Sequence, residues 1–279
     1  MRFTKLHGTG NDFLVMDARG IERDWPALAR AACDRHFGAG ADGLILAAPS
    51  QHADVRMRIF NADGSEAEIS GNGLRCLAKF AVDGGIVTPR GGELDVETGN
   101  GVLRVHVETG GGKVVRVSNS MGRPRLDPRD VPVAIESAGP VLRHEMQVDG
   151  RAVTFAAVSM GNPHAIHVQD APVADFPLYA IGPLVEHHPL FPHRTNFEVI
   201  RMLGRDRAEM RVWERGVGET LSCGSGASAA IVALRLLGLV DGRLSLAVPG
   251  GVLDLVWDGE GDVILAGPVE EVFRGEWPD

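Results

Sequence analysis

Two residues stand where backbone chemistry would make them useful. Cys223 precedes Gly224-Ser225-Gly226-Ala227-Ser228-Ala229-Ala230-Ile231-Val232-Ala233-Leu234, which reads as a tight turn opening a buried, small-residue helix. Ser70 precedes Gly71-Asn72-Gly73-Leu74-Arg75-Cys76-Leu77-Ala78-Lys79-Phe80, an echo of that design half a chain earlier. The first turn of a helix leaves N–H groups without acceptors, and the aligned peptide dipoles add partial positive charge there. A thiol at such a point is drawn toward its thiolate, so Cys223 is expected to have a depressed pKa. Two symmetry-related helix starts facing one cavity would cradle one carboxylate with their N–H donors. Ser70 and Cys223 would then approach one α-carbon from opposite sides. That is the geometry for removing a proton from one face and returning one to the other.

The elements that must position these residues repeat as well. Each helix runs into glycine, at Gly84-Gly85 and at Gly238, and each is followed by paired strands. After the first come Glu93 to Glu97, a turn at Asn100-Gly101, and Val102 to Val107; after the second, Arg243 to Val248, Gly250-Gly251, and Val252 to Trp257. The pattern reads as an internal duplication. Earlier, Phe3 to Leu6 and Phe13 to Asp17 read as strands around a polar turn. Asp24 suits the N-cap of a helix through Arg35 that stops at Gly38, with Cys33 a buried structural thiol. Gly43 to Ala47 and Asp54 to Phe60 read as strands, the second delivering the turn Asn61-Ala62-Asp63-Gly64. The pattern breaks near Met121-Gly122-Arg123-Pro124, where the domain boundary is placed. Val141 to Val148 and Ala152 to Val158 flank Asp149-Gly150 as a hairpin. Gly161-Asn162-Pro163-His164 reads as a loop before the strand Ala165 to Val168, and residues 171–193 as short helices and loops. Asn196 to Arg201 and Arg207 to Trp213 read as the strands that lead to Cys223. Many short strands with few helices indicate an α+β fold.

Composition narrows the function classes. Net charge is -9 with no basic stripe, which argues against nucleic acid and anionic membranes as partners. At 279 residues and 44% hydrophobic content the chain suits two domains with real cores, and no run suits a membrane span. The start, Met1-Arg2-Phe3-Thr4-Lys5-Leu6-His7-Gly8, lacks the apolar stretch of a signal peptide, so a soluble cytoplasmic protein is expected. Three cysteines fit free thiols better than a disulfide framework. Gly224-Ser225-Gly226-Ala227-Ser228-Ala229 fits a loose dinucleotide pattern but lacks a βαβ frame and the acidic residue after it. His164 with His167, or His187 with His188 and His193, lack metal-ligand spacing, and a loop or surface histidine is the default reading for them. A Cys223–His164 hydrolase pair lacks a third member. No cofactor and no metal are expected.

A resemblance makes the reading specific. The segments His7-Gly8-Thr9-Gly10-Asn11-Asp12-Phe13, Asn61-Ala62-Asp63-Gly64-Ser65-Glu66, Gly71-Asn72-Gly73, Gly161-Asn162-Pro163-His164, Thr195-Asn196, Glu214-Arg215-Gly216 and Cys223-Gly224-Ser225-Gly226 occur in order along nearly the whole chain. In these the sequence resembles the diaminopimelate epimerases, cofactor-independent enzymes that interconvert LL- and meso-diaminopimelate on the route to lysine and peptidoglycan. The resemblance implies two pseudo-symmetric domains, each a strand-rich, barrel-like sheet around a central helix, with the active site between them. It implies domains of residues 1–120 with a returning strand in 267–279, and 121–266, and a homodimer. It also implies roles. Backbone N–H groups of Gly71, Asn72, Gly224 and Ser225 would hold the reacting carboxylate. Asn61, Asn162, Asn196 and Arg215 would grip the distal end, Asn11 and Glu214 would take ammonium groups, and His164 with Glu214 would tune the thiol.

Two departures qualify it. Gly43 stands where some members carry a substrate-binding glutamine, and Ser70 stands where the family pattern has its second catalytic cysteine. Cys76 lies almost two helical turns further on and cannot take over. A hydroxyl ionises far less readily than a thiol and can hardly take a proton from carbon, so the expectation is poor epimerisation or none, with Cys223 still exchanging an α-proton. Two other readings stay open. One is a lyase or dehydratase that acts on a β-substituted amino acid through Cys223 alone. The other is a catalytically inactive amino-acid-binding homologue.

Overall fold

A computed structural model describes residues 1–278. The chain divides into two compact units, one of Met1–Ser120 with the stretch from Ala266 onward, the other of Met121–Leu265. The first unit contains β1 (Arg2–Gly8), β2 (Asn11–Asp17), α1 (Trp25–Cys33), β3 (Gly43–Ala48), β4 (Val55–Asn61), β5 (Glu66–Ala67), α2 (Gly71–Asp83), β6 (Glu93–Thr98), β7 (Gly101–Gly110) and β8 (Lys113–Ser120). The second contains β9 (His144–Val148), β10 (Arg151–Ser159), β11 (Pro163–Val168), α3 (Leu178–Glu186), β12 (Asn196–Met202), β13 (Arg207–Glu214), β14 (Gly218–Thr220), α4 (Gly224–Leu236), β15 (Arg243–Val248) and β16 (Gly251–Val256). The chain then runs through β17 (Ile264–Pro268) to β18 (Glu270–Glu276), which pairs antiparallel with β1, Arg2 opposite Glu276. The fold is α+β. No helix of the described residues is long and apolar enough to cross a membrane.

The two units share one pairing scheme. In the first, β1 and β2 are antiparallel, β2 and β3 parallel, β3 and β4 antiparallel, and β4 joins β6 in parallel across α2. In the second, β10 and β11 are antiparallel, β11 and β12 parallel, β12 and β13 antiparallel, and β13 joins β15 in parallel across α4. Short partners β5 and β14 occupy equivalent places on β4 and β13. The duplication read from the helices therefore extends to the strands.

α2 and α4 are the central helices of their units: α4 is apolar or small on nearly every face, while α2 buries Arg75 and Lys79 along with its apolar residues. Leu74, Leu77, Ala78 and Ala81 of α2 pack with Val15, Ile45, Met57 and Val96. Ile231 and Leu234 of α4 pack with Met210, Leu246 and Leu253. Burial of one such side chain contributes about 1.5–3 kcal/mol. α4 begins with small residues, and Ala227, Ser228, Ala229 and Ala230 are all fully buried, so strands approach its axis closely. β3 is buried on both faces: Leu44 and Leu46 pack toward α1, Ile45 and Ala47 toward α2. That is why it reads as a continuous apolar run.

Several boundaries differ from the sequence reading. α1 ends at Cys33, not Arg35, because Asp34 turns out of the helix and its carboxylate accepts the His36 and Phe37 N–H groups at 2.7 Å each. Such a local turn competes with the next helical bonds. β11 begins at Pro163, so His164 lies in a strand opposite Val158 and is fully buried, neither a loop nor a surface residue. Proline is tolerated at the first position of a strand. The returning segment forms two strands that part at Val269, whose N–H is bound to Val115 O.

Candidate active site

In each unit the polar residues that the sequence singles out collect at one end of the strands, beside the N-terminus of the central helix. In the first unit, Asn11 opens β2, Gly43 opens β3 and Asn61 closes β4, with Gly43 opposite both Phe13 and Asn61. Asn72 donates to Asn11 Oδ1 at 3.2 Å, and Asn11 donates to Asp42 at 2.6 Å, so these amides are fixed in place. Asn61 Nδ2 donates to Ser65 Oγ at 2.9 Å. Gly43 leaves no room for a side chain: a Cβ there would lie 2.7 Å from the Phe60 carbonyl oxygen.

Ser70 is the N-cap of α2, with extended φ/ψ of -140° and 124°, and its Oγ accepts the Gly73 N–H at 3.0 Å. The N–H groups of Gly71 and Asn72 have no carbonyl one turn back to donate to, as at any helix start. Below them Arg75 is wholly buried, its Nη2 donating to Asn72 Oδ1 at 2.7 Å and to Thr9 Oγ1 at 3.1 Å. Burial lowers its guanidinium to about 10. Cys76 is fully buried in the core of this unit, and burial pushes its thiol up to about 12. Cys33, also buried, is raised to about 12 for the same reason.

In the second unit the matching N-cap is Cys223, with φ/ψ of -125° and 113°. Its Sγ lies 3.5 Å from Ser225 Oγ. Asn162 Nδ2 reaches that hydroxyl at 3.4 Å, and Asn162 Oδ1 lies 3.1 Å from His164 Nε2. His164 Nδ1 is 2.7 Å from Glu198 Oε1, and neither side chain of this pair is exposed. The sequence reading missed Glu198. The one available signal is a carboxylate inside the otherwise apolar run Phe197-Glu198-Val199-Ile200.

Cys223 corrects the expectation of an acidic thiol. Burial raises its pKa well above the ordinary value, and the Glu214 and Glu198 carboxylates raise it further. The Ser225 hydroxyl and the Gly226 N–H pull the other way and are outweighed. The helix start favours a thiolate, but burial, joined by the two carboxylates of β12 and β13, reverses the sign.

The turn after β13 carries Glu214 and Arg215. Glu214 Oε1 accepts from Thr220 Oγ1 at 2.5 Å. The Arg215 N–H donates to Asn196 Oδ1 at 2.9 Å, and Asn196 Nδ2 donates to Pro163 O at 2.8 Å. Asn196 thus ties the Arg215 turn to the strand start that holds His164. A second anchor is Glu186 on α3, whose carboxylate accepts from Gly216 N and Trp213 Nε1, both at 2.8 Å. Arg215 itself rests one nitrogen, Nη1, on His193 O at 3.1 Å.

The architecture and sequence have clear relatives. The family pattern described as diaminopimelate epimerase matches residues 3–126 and 156–272. A diaminopimelate epimerase from Moorella thermoacetica is 46% identical over 282 residues, covering 100% of this chain and 99% of its own. One from Pelotomaculum thermopropionicum is 47% identical over 284 residues, with the same coverage of 100% and 99%. Among solved structures, a probable proline racemase from Agrobacterium radiobacter K84 matches with a TM-score of 0.70 at 14% identity, covering 99% of this chain and 92% of its own. A hydroxyproline epimerase from Agrobacterium vitis matches with a TM-score of 0.67 at 15% identity, covering 99% and 91%. The structural matches speak for the fold alone; the sequence matches run end to end at an identity that shows common family. The chain belongs to the diaminopimelate epimerase family.

Proposed function

We propose that this chain is an isomerase that interconverts LL- and meso-2,6-diaminopimelate without a cofactor, in lysine and peptidoglycan precursor synthesis. The second unit supplies the thiol of Cys223 and the first supplies the hydroxyl of Ser70, each at the N-cap of a central helix. That paired placement is the observation that carries the reading. One of the two groups takes the α-proton and the other returns a proton to the opposite face. The N–H groups of Gly71, Asn72, Gly224 and Ser225 hold the reacting carboxylate and its developing negative charge. Arg215 meets the distal carboxylate, which it can do as a bidentate fork once it leaves the His193 carbonyl. Asn11, Asn61, Asn162 and Glu214 complete the grip on the substrate, and Asn196 holds the Arg215 turn in place as well as lying beside it. His164 and Glu214 govern the protonation of Cys223. A homodimer in the cytoplasm completes the proposal.

The two proton carriers are unequal. A free thiol titrates near 8.5 and a hydroxyl ionises about 7 pK units less readily, so forming the base from serine costs roughly 10 kcal/mol more than forming it from cysteine. Ser70 can donate a proton to a carbanion far more readily than it can remove one from carbon. Turnover is therefore limited by the steps in which Ser70 is the base, and slow in both directions, because the overall equilibrium is nearly balanced. The capping bond from Gly73 to Ser70 favours a second reading, in which the serine serves its helix and Cys223 alone exchanges the α-proton. A lyase acting through Cys223, or an amino-acid receptor, would share that half-site.

Incubating the protein with LL- and meso-diaminopimelate in heavy water separates these readings. Deuterium gain with inversion supports the epimerase, and gain with retention the single-thiol reading. Binding by calorimetry without any gain would leave a receptor, and release of a leaving group from a β-substituted amino acid would identify the lyase.

A further inference from the structure

Glu198 is a fully buried carboxylate with a defined partner and a defined neighbour. It sits on β12, where Phe197 and Val199 pack on one side while Ile200 packs with α4. Its Oε1 is 2.7 Å from His164 Nδ1, while its Oε2 has no hydrogen-bond partner. A Cβ on Gly226 would lie 2.5 Å from Oε1, so the glycine in the first turn of α4 makes room for this carboxylate. A carboxylate placed in this way is built in at a cost, since burying one with an unsatisfied oxygen is unfavourable.

The protons on His164 follow from its two partners. Nε2 faces Asn162 Oδ1 at 3.1 Å, and an amide oxygen only accepts, so Nε2 carries hydrogen. Nδ1 faces Glu198 Oε1, and one proton lies between them, on nitrogen as imidazolium–carboxylate or on oxygen as a neutral pair. In either form Nε2–H is retained. The N–H and the amide oxygen hold each other in place, and Asn162 Nδ2 faces Ser225 Oγ, which in turn faces Cys223 Sγ. The charged and titratable groups gathered here are His164 from β11, Glu198 from β12, Glu214 from β13 and Cys223 before α4.

We propose that Glu198 is a positioning residue for proton transfer at Cys223: it locks His164 as the Nε2–H form, and through it the Asn162 amide beside Ser225 and the thiol. The proposal rests on the reading of Cys223 as the reacting thiol, and it adds a residue outside the substrate grip. Burial raises the Glu198 carboxyl, against the opposing charge of His164.

The test uses the full chain and two readouts that need no turnover. Nitrogen-15 spectra of the His164 imidazole are compared in the wild type, Glu198→Gln and Glu198→Ala, alongside the pH profile of Cys223 alkylation by iodoacetamide. Gln can donate to Nδ1 and should keep the Nε2–H form; Ala should release a mixture of tautomers. The His164–Glu198 pair carries no net charge in either form, and neutral His164 beside Gln carries none, so Glu198→Gln should leave the alkylation profile in place, whereas Glu198→Ala, which frees the Asn162 amide, should displace it. Glu198→Gln, close to isosteric, keeps the test decisive should Glu198→Ala fail to fold. A bare Nε2 in the wild type, or loss of the Nε2–H form in Glu198→Gln, would overturn the proposal. Loss of deuterium exchange into diaminopimelate in the wild type, with these readouts as expected, counts against the substrate and leaves the positioning role supported.

Discussion

Ser70 Oγ accepts the Gly73 N–H at 3.0 Å, which makes the serine the cap of the helix it opens. The bond uses a lone pair and leaves the hydroxyl proton free, so capping and proton donation are compatible in one side chain. Gly73 is tightly held there, since a Cβ on it would meet Ser70 Cβ at 3.1 Å and Ile45 Cδ1 at 2.9 Å. Ser70→Ala should therefore cost about 1 kcal/mol of stability, the usual worth of an N-cap hydroxyl. Urea unfolding measures this directly, and an unchanged midpoint would remove the capping role.

Arg215 is assigned to the distal carboxylate of the substrate. Arg215→Lys should weaken diaminopimelate binding by about 2–3 kcal/mol, the scale of a lost charge-assisted bond, because lysine cannot reproduce a planar fork. Titration calorimetry reads the change. Unaltered affinity would return Arg215 to the status of an exposed charge after a strand.

Cys223 should be a sluggish nucleophile in the free protein. Burial, then Glu214 and Glu198, hold its thiol above the ordinary range, so alkylation should rise only at pH above about 8.5, the value for a free cysteine. Glu214→Gln removes one of those charges and should shift the profile to lower pH. A profile centred below 8.5 in the wild type would show that the helix start outweighs burial and the carboxylates after all.

A further expectation concerns acid. Burial works against the ionised Asp12 carboxyl, but hydrogen bonds from Arg35 and Lys5 prevail and hold it down to about 2. The Lys5 and Arg35 contacts are 2.8 Å each. A depressed carboxyl stabilises the fold fully above its unfolded value of about 3.9 and loses that contribution as pH falls toward the folded value. Stability against urea should thus decline between about pH 4 and pH 2, and Asp12→Asn should flatten that decline. An identical pH dependence in the variant would contradict it.

How much of this was legible in the sequence differs by residue. The two helices and their starts could be read because glycine, serine and cysteine at a cap are local signals, and so could the hairpins at Asn100-Gly101 and Asp149-Gly150. The strand-end positions of Asn11, Asn61 and Glu214 followed from turn chemistry beside alternating runs. Glu198 did not, because a strand buried on both faces gives no alternation to show which side its one carboxylate takes. The sign of the Cys223 shift was hidden for a related reason. The helix start is encoded within a few residues of the cysteine, whereas its burial, the largest cause, comes from the packed strands, and Glu198 and Glu214 reach it only through the pairing of β12 with β13. Glu186 was equally hidden: its hold on Gly216 spans 30 residues.

The central claim is that one thiol and one hydroxyl share the proton work, and that the hydroxyl limits it. Epimerisation of LL-diaminopimelate by the wild type and by Ser70→Cys, followed by chiral chromatography, tests it most directly. A thiol ionises about 7 pK units more readily than the hydroxyl it replaces, so Ser70→Cys should raise turnover by several orders of magnitude while the affinity for substrate changes little. Full epimerase activity in the wild type, with no gain in Ser70→Cys, would contradict the account.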